Sequence, residues 1–160
     1  MSSINFQIYA LNNNDFTYLF SLSDTELTKL NATKITVDEN PGYPCRISLE
    51  DAKIGEAIIA LPYIHHEVNS PYRSSGPIFI RDKCLPASLA INEIPAVLNN
   101  RLLSLRAYNK QSMMIDALIT DGKDVKKMII NLLANNKIEY IHIHNANPGC
   151  YSCRVERIFE

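Results

Sequence analysis

Strand-like segments recur from one end of this chain to the other, while helices able to cross between parallel strands are few, so an antiparallel or mixed sheet is favoured. "INFQIYAL" (4–11) alternates Ile4, Phe6 and Ile8 against Asn5, Gln7 and Tyr9, the period of a strand with one face buried. "AIIALPY" (57–63) is short and almost wholly apolar, which suits a central strand covered on both faces. "GPIFIR" (76–81) follows as a second strand. "LLSLRAY" (102–108) and "MMIDALI" (113–119) read as a hairpin around "NKQS". "IEYIHIH" (138–144) and "YSCRVERIF" (151–159) read as two strands joined by "NANPG", where Pro148 and Gly149 make the turn.

The strongest helix signal is "KDVKKMIINLLAN" (123–135). Val125, Met128, Ile129, Leu132 and Leu133 make one apolar stripe, with Asp121 and Asp124 at the positive N-terminal end. Weaker signals lie at 15–22, where Phe16, Leu19 and Phe20 fall at helical spacing, at "SDTE" (23–26), a capping box leading to Leu27 and Leu30, and at 94–99. "ITVDENPGYP" (35–44) reads as a turn, and "HHEVNSPYRSS" (65–75) as a polar loop of the kind that carries function. The expectation is one α+β domain over residues 1–160, with an antiparallel or mixed sheet and two to four helices.

Composition narrows the partners. A chain with 46% hydrophobic and 21% charged residues is an ordinary globule. Its formal net charge of -1 gives no basic field to attract nucleic acid or an anionic membrane. No segment approaches the roughly 18 apolar residues of a membrane span, and the start "MSSINFQIYA" has no export signal. The expected setting is the cytoplasm, where Cys45, Cys84, Cys150 and Cys153 stay thiols.

"GYPCR" (42–46), "SPYRSSGPIF" (70–79), "RLLSLRAY" (101–108) and "GCYSCRVER" (149–157), taken in this order, resemble a small bacterial single-domain family, domain of unknown function 1203, over about residues 6–157. The resemblance implies a single-domain bacterial protein and brings no activity, cofactor or catalytic residue with it.

Chemistry is therefore argued from the residues. Cys45 precedes Arg46, whose guanidinium would favour the thiolate, and His65, His66, His142 or His144 could act as its base; inert packing of the cysteine is the plainer reading. Arg46, Arg73, Arg101, Arg106, Arg154 and Arg157 all lie within the phrases quoted above, and the planar fork of arginine suits carboxylate or phosphate. Ser104, Arg106 and Tyr108 share one strand face, as do Tyr140, His142 and His144. The alternative is internal pairing of these arginines with Glu50, Asp51, Glu56 and Glu156.

The leading expectation is a small-anion (carboxylate or phosphate) binding domain with ligand contacts from Arg106, Tyr108, Tyr72, Arg73, His142 and Arg154. As an enzyme it would use Cys45 as nucleophile, His144 as base and Arg46 as clamp, in acyl transfer or hydrolysis. A non-catalytic interaction or homodimer surface is the rival. Zinc at His142, His144, Cys150 and Cys153 ranks third, because a hairpin strand points the two cysteines to opposite faces; no cofactor is assigned.

Overall fold

A computed structural model describes residues 3–159. The strands are β1 (Asn5–Tyr9), β2 (Thr33–Thr36), β3 (Ala57–His66), β4 (Ser74–Arg81), β5 (Leu102–Tyr108), β6 (Met114–Asp121), β7 (Tyr140–Asn145) and β8 (Tyr151–Ile158). They form a five-stranded sheet in the order β1-β8-β7-β5-β6 and a three-stranded sheet in the order β2-β3-β4. Every pairing within them is antiparallel.

The expected α+β character holds, but the helical part is thinner than two to four helices. Helix α1 (Asp24–Lys29) has six residues and α2 (Val125–Leu133) nine; Asn13–Asp15, Thr17–Ser21, Ala96–Leu98 and Gly122–Asp124 are 3-10 turns. Short 3-10 pieces form where apolar residues dock locally and the run is too short to repay the nucleation of an α-helix. Ser23 caps α1 by accepting from the Glu26 amide, as the capping-box pattern requires. Ile35 and Thr36 also depart from the turn expected at 35–44, because they pair along β3 as the end of β2.

Strand alternation sorts the larger sheet into two unlike faces. Phe6, Ile8, Leu103, Leu105, Ala107, Ile141, Ile143, Cys153 and Val155 make one apolar face, covered by Val125, Ile129, Leu132 and Leu133 of α2. Arg157 ties α2 to the sheet by donating to the carbonyls of Leu133 at 2.8 Å and Ile138 at 3.0 Å. The opposite face carries Ser104, Arg106, Tyr108, Tyr140, His142, His144, Tyr151 and Arg154, and β3 with β4 packs over part of it. Strand β7, the middle strand, is buried along its whole length. A second apolar cluster, with Phe16, Leu19, Leu27, Cys45, Ile47, Ile59, Ile78 and Ile80, supports the smaller sheet.

As expected, "AIIALPY" is central, since β3 lies between β2 and β4. It runs on to His66, so His65 and His66 belong to a strand and the loop begins only at Glu67. No helix among the described residues is long and apolar enough to cross a membrane.

Candidate functional site

Two irregularities bring the histidines together. The β3–β4 register shifts between Tyr63 and His66, and the β7–β8 register shifts between Ile143 and His144. A bulge breaks the strict alternation of a strand and re-aims its side chains. Consecutive residues His65 and His66 thereby both reach the polar face of the larger sheet. The His65 ring lies 4.9 Å from that of His144 and stacks on Tyr151 at 5.3 Å, while the His66 ring lies 4.9 Å from that of His142.

One ring nitrogen from each of His65, His142 and His144 lies within 4.8 Å of the other two. Two of these histidines have one ring nitrogen held by a hydrogen bond. His144 Nδ1 donates to the Gly149 carbonyl at 2.9 Å, which leaves Nε2 with a lone pair. His65 Nε2 meets the Ser74 hydroxyl at 2.9 Å. What remains is a set of buried nitrogens with no hydrogen-bond partner, namely His65 Nδ1, His142 Nδ1 and His144 Nε2. His66 differs: Nδ1 donates to the Tyr72 carbonyl at 2.8 Å, and Nε2 shares a hydrogen bond with the Tyr140 hydroxyl at 2.6 Å.

The three histidines are held neutral. Burial, above all, lowers His142 to about 2, His144 to about 3 and the half-buried His65 to about 4, and neighbouring positive charges add to the effect. Neutral imidazole is the form that ligates a metal. Arg106 lies across from His142 on β5, and its charge is felt by both His65 and His144. It makes no ion pair among the described residues, and its Nε donates to the Ser104 hydroxyl at 3.4 Å.

The other residues expected at a site divide between this face and elsewhere. Tyr108 is buried here, stacked on Tyr140 at 5.2 Å, and Tyr72 meets it edge-on at 6.0 Å. Arg154 lies over the Tyr140 ring at 4.0 Å and pairs with Glu156 at 2.8 Å. Arg73 is exposed beside Glu67 at 3.7 Å and stands apart from the cluster. Arg101 binds Asp51 through two hydrogen bonds, so internal pairing accounts for some of the arginines and not for Arg106 or Arg46.

Cys45 sits in the second apolar cluster, its Sγ 3.9 Å from that of Cys84 and accepting from the amides of Ile47 at 3.4 Å and Arg81 at 3.5 Å. The Cys84 thiol hydrogen bond lowers the Cys45 pKa against the opposing effect of burial, so the proton of the pair rests on Cys84. Arg46 points away, toward Tyr151 and Cys150. The four-ligand zinc set does not assemble either: Cys153 is buried in the apolar core, where burial pushes its thiol to about 12, whereas Cys150 lines a cavity with Arg46. His65 completes the histidine set in their place. Its position in a polar phrase was visible in the sequence, but its pairing with β7 was not.

The chain belongs to the family described as Protein of unknown function (DUF1203), whose model matches residues 42–157. No curated protein and no solved structure matches it. His65, His142, His144, Arg46 and Arg106 all lie inside the matched segment.

Proposed function

From that membership, which carries no activity with it, we propose that the chain binds a divalent transition-metal ion, zinc first, through His65, His142 and His144, and holds a small anion at the metal's open position beside Arg106. The supporting observation is the convergence of three neutral imidazoles, one ring nitrogen of each within 4.8 Å of the others, on histidines that each also carry a buried nitrogen without a hydrogen-bond partner. A Zn–N bond of about 2.0–2.1 Å puts tetrahedral ligands about 3.3 Å apart, so side-chain rotations on the order of an ångström close the set. Imidazoles without a carboxylate suit zinc, copper or nickel and not magnesium or calcium.

Three protein ligands leave a fourth position. No carboxylate belongs to the cluster, and Arg106 adds positive charge, so an anionic fourth ligand is favoured. This keeps the expected small-anion ligand and seats it at Arg106. Binding is the claim, and hydrolysis of the bound anion is the reaction class that a Lewis-acidic ion with one open position would serve.

Protein purified without chelator should carry about one zinc per chain, lose thermal stability on dialysis against chelator and regain it with zinc. His65 is half-buried, so His65→Ala should fold and lose both the zinc and the shift. Trace metal together with no shift on adding zinc, copper or nickel would sink the proposal. Arg106→Ala should keep the zinc and lose further stabilisation by acetate or phosphate; Lys126→Ala should lose neither.

The rival reading, an interaction or homodimer surface, draws on the β6 edge, where Ile115 and Ile119 are exposed. A molecular mass that rises with protein concentration and ignores metal would favour it.

A further inference from the structure

The buried cation that the histidine centre does not use is Arg46, only 1% exposed. Its Nε donates to the Tyr151 carbonyl at 2.7 Å and its Nη1 to the Pro44 carbonyl. The Cys150 side chain hydrogen-bonds it as well, and the charge on Cys45 acts on it favourably, but no carboxylate among the described residues forms an ion pair with Arg46. Burial lowers its pKa, yet a guanidinium stays charged in proteins. A buried guanidinium without a carboxylate partner is costly, and a bound carboxylate would offset that cost.

Arg46 lines a cavity of about 540 Å³ with Phe79, Asn145 and Cys150 among its walls. Asn145 is buried; its Nδ2 donates to Cys150 Sγ at 3.4 Å, while Oδ1 has no partner. The other guanidinium of the wall, Arg101, is already neutralised by Asp51. One guanidinium without a carboxylate partner, one idle acceptor and the apolar surfaces of Pro77, Phe79, Leu102 and Pro148 therefore face the same space.

We propose that this cavity is a second ligand site, which takes a small organic monocarboxylate: the carboxylate on Arg46, a hydrogen-bond donor of the ligand on Asn145 Oδ1, and its apolar body against Phe79 and the prolines. A single free guanidinium matches a monoanion better than a phosphate dianion, and the apolar lining favours a carbon skeleton over an inorganic ion. The site shares no ligand residue with the histidine centre, although the Arg46 charge is felt at His144. Phe79, in van der Waals reach of the ligand body, also faces the guanidinium, its ring centroid 5.6 Å away.

Cys150, on the cavity wall beside both Arg46 and Asn145, makes its own first alkylation the readout of the site. Iodoacetate and iodoacetamide alkylate a thiolate in the same way, sulfur displacing iodide from carbon, but only iodoacetate carries the carboxylate. In the folded protein the rate ratio of iodoacetate to iodoacetamide at Cys150, read by peptide mass spectrometry, should exceed that of the free peptide 147–152 at least tenfold. Propionate and benzoate, at constant ionic strength, should slow the iodoacetate reaction, and propionamide should not. His65→Ala should leave both results unchanged, so failure of the metal proposal does not touch this one. A ratio within twofold of the peptide's, no protection by either carboxylate, or equal protection by phosphate would overturn the proposal.

Discussion

Acidifying the metal-free protein from pH 7.5 to pH 5 should strip a large part of its stability, through His142 and His144. Both side chains are buried, and their pKa values fall from 6.5 to about 2 and about 3. Between those values and 6.5 the unfolded chain binds protons that the folded chain cannot, so stability drops as pH falls below 6.5. At pH 5 each histidine favours the unfolded state by about 2 kcal/mol more than at pH 7.5, about 4 kcal/mol for the pair. His65, partly open to solvent, adds less, and the Cys45 thiol shifts stability in the same direction. Urea unfolding at half-unit pH steps, with chelator present and in a Cys45→Ala background, isolates the histidine slope. Stability constant within about 1 kcal/mol over this window, or histidine ring signals titrating near their ordinary value, would refute the reasoning.

Gly122→Ala should destabilise the fold by about 3 kcal/mol in urea melts, because a Cβ there would stand 1.8 Å from the Leu98 carbonyl oxygen, a backbone atom that cannot swing aside. Asp51→Ala should cost about 2 kcal/mol by the same measurement, less than the roughly 3–5 kcal/mol of a fully buried pair, since both Asp51 and Arg101 still reach water. In the folded protein Cys45 should resist iodoacetamide from pH 6 to pH 8 and react on unfolding; mass-spectrometric labelling of Cys45 ahead of half-exposed Cys84 would contradict its packing.

Much of the architecture was readable along the chain because it rests on short periods. Alternation in "LLSLRAY" and "YIHIHN" assigns Leu103, Leu105, Ile141 and Ile143 to one face and Arg106, His142 and His144 to the other, whatever the partners of those strands are. The stripe from Val125 to Leu133 likewise places α2 on the apolar face. The strand at 33–36 escaped this reading, since four mostly exposed residues bury too little to leave a pattern.

The candidate site depends on contacts between distant residues. His65 joins His142 and His144 across more than seventy positions only because two bulges re-aim side chains where the sheets meet. Arg46 follows Cys45 directly, yet the chain passes there from an isolated bridge into a turn, and Cys45 falls beside Cys84 while Arg46 falls beside Tyr151 and Cys150. Local periodicity determines which side chains are polar on a given face. Which of them lose water together, and so become neutral imidazoles or a guanidinium without a carboxylate partner, was decided when one sheet closed over the other.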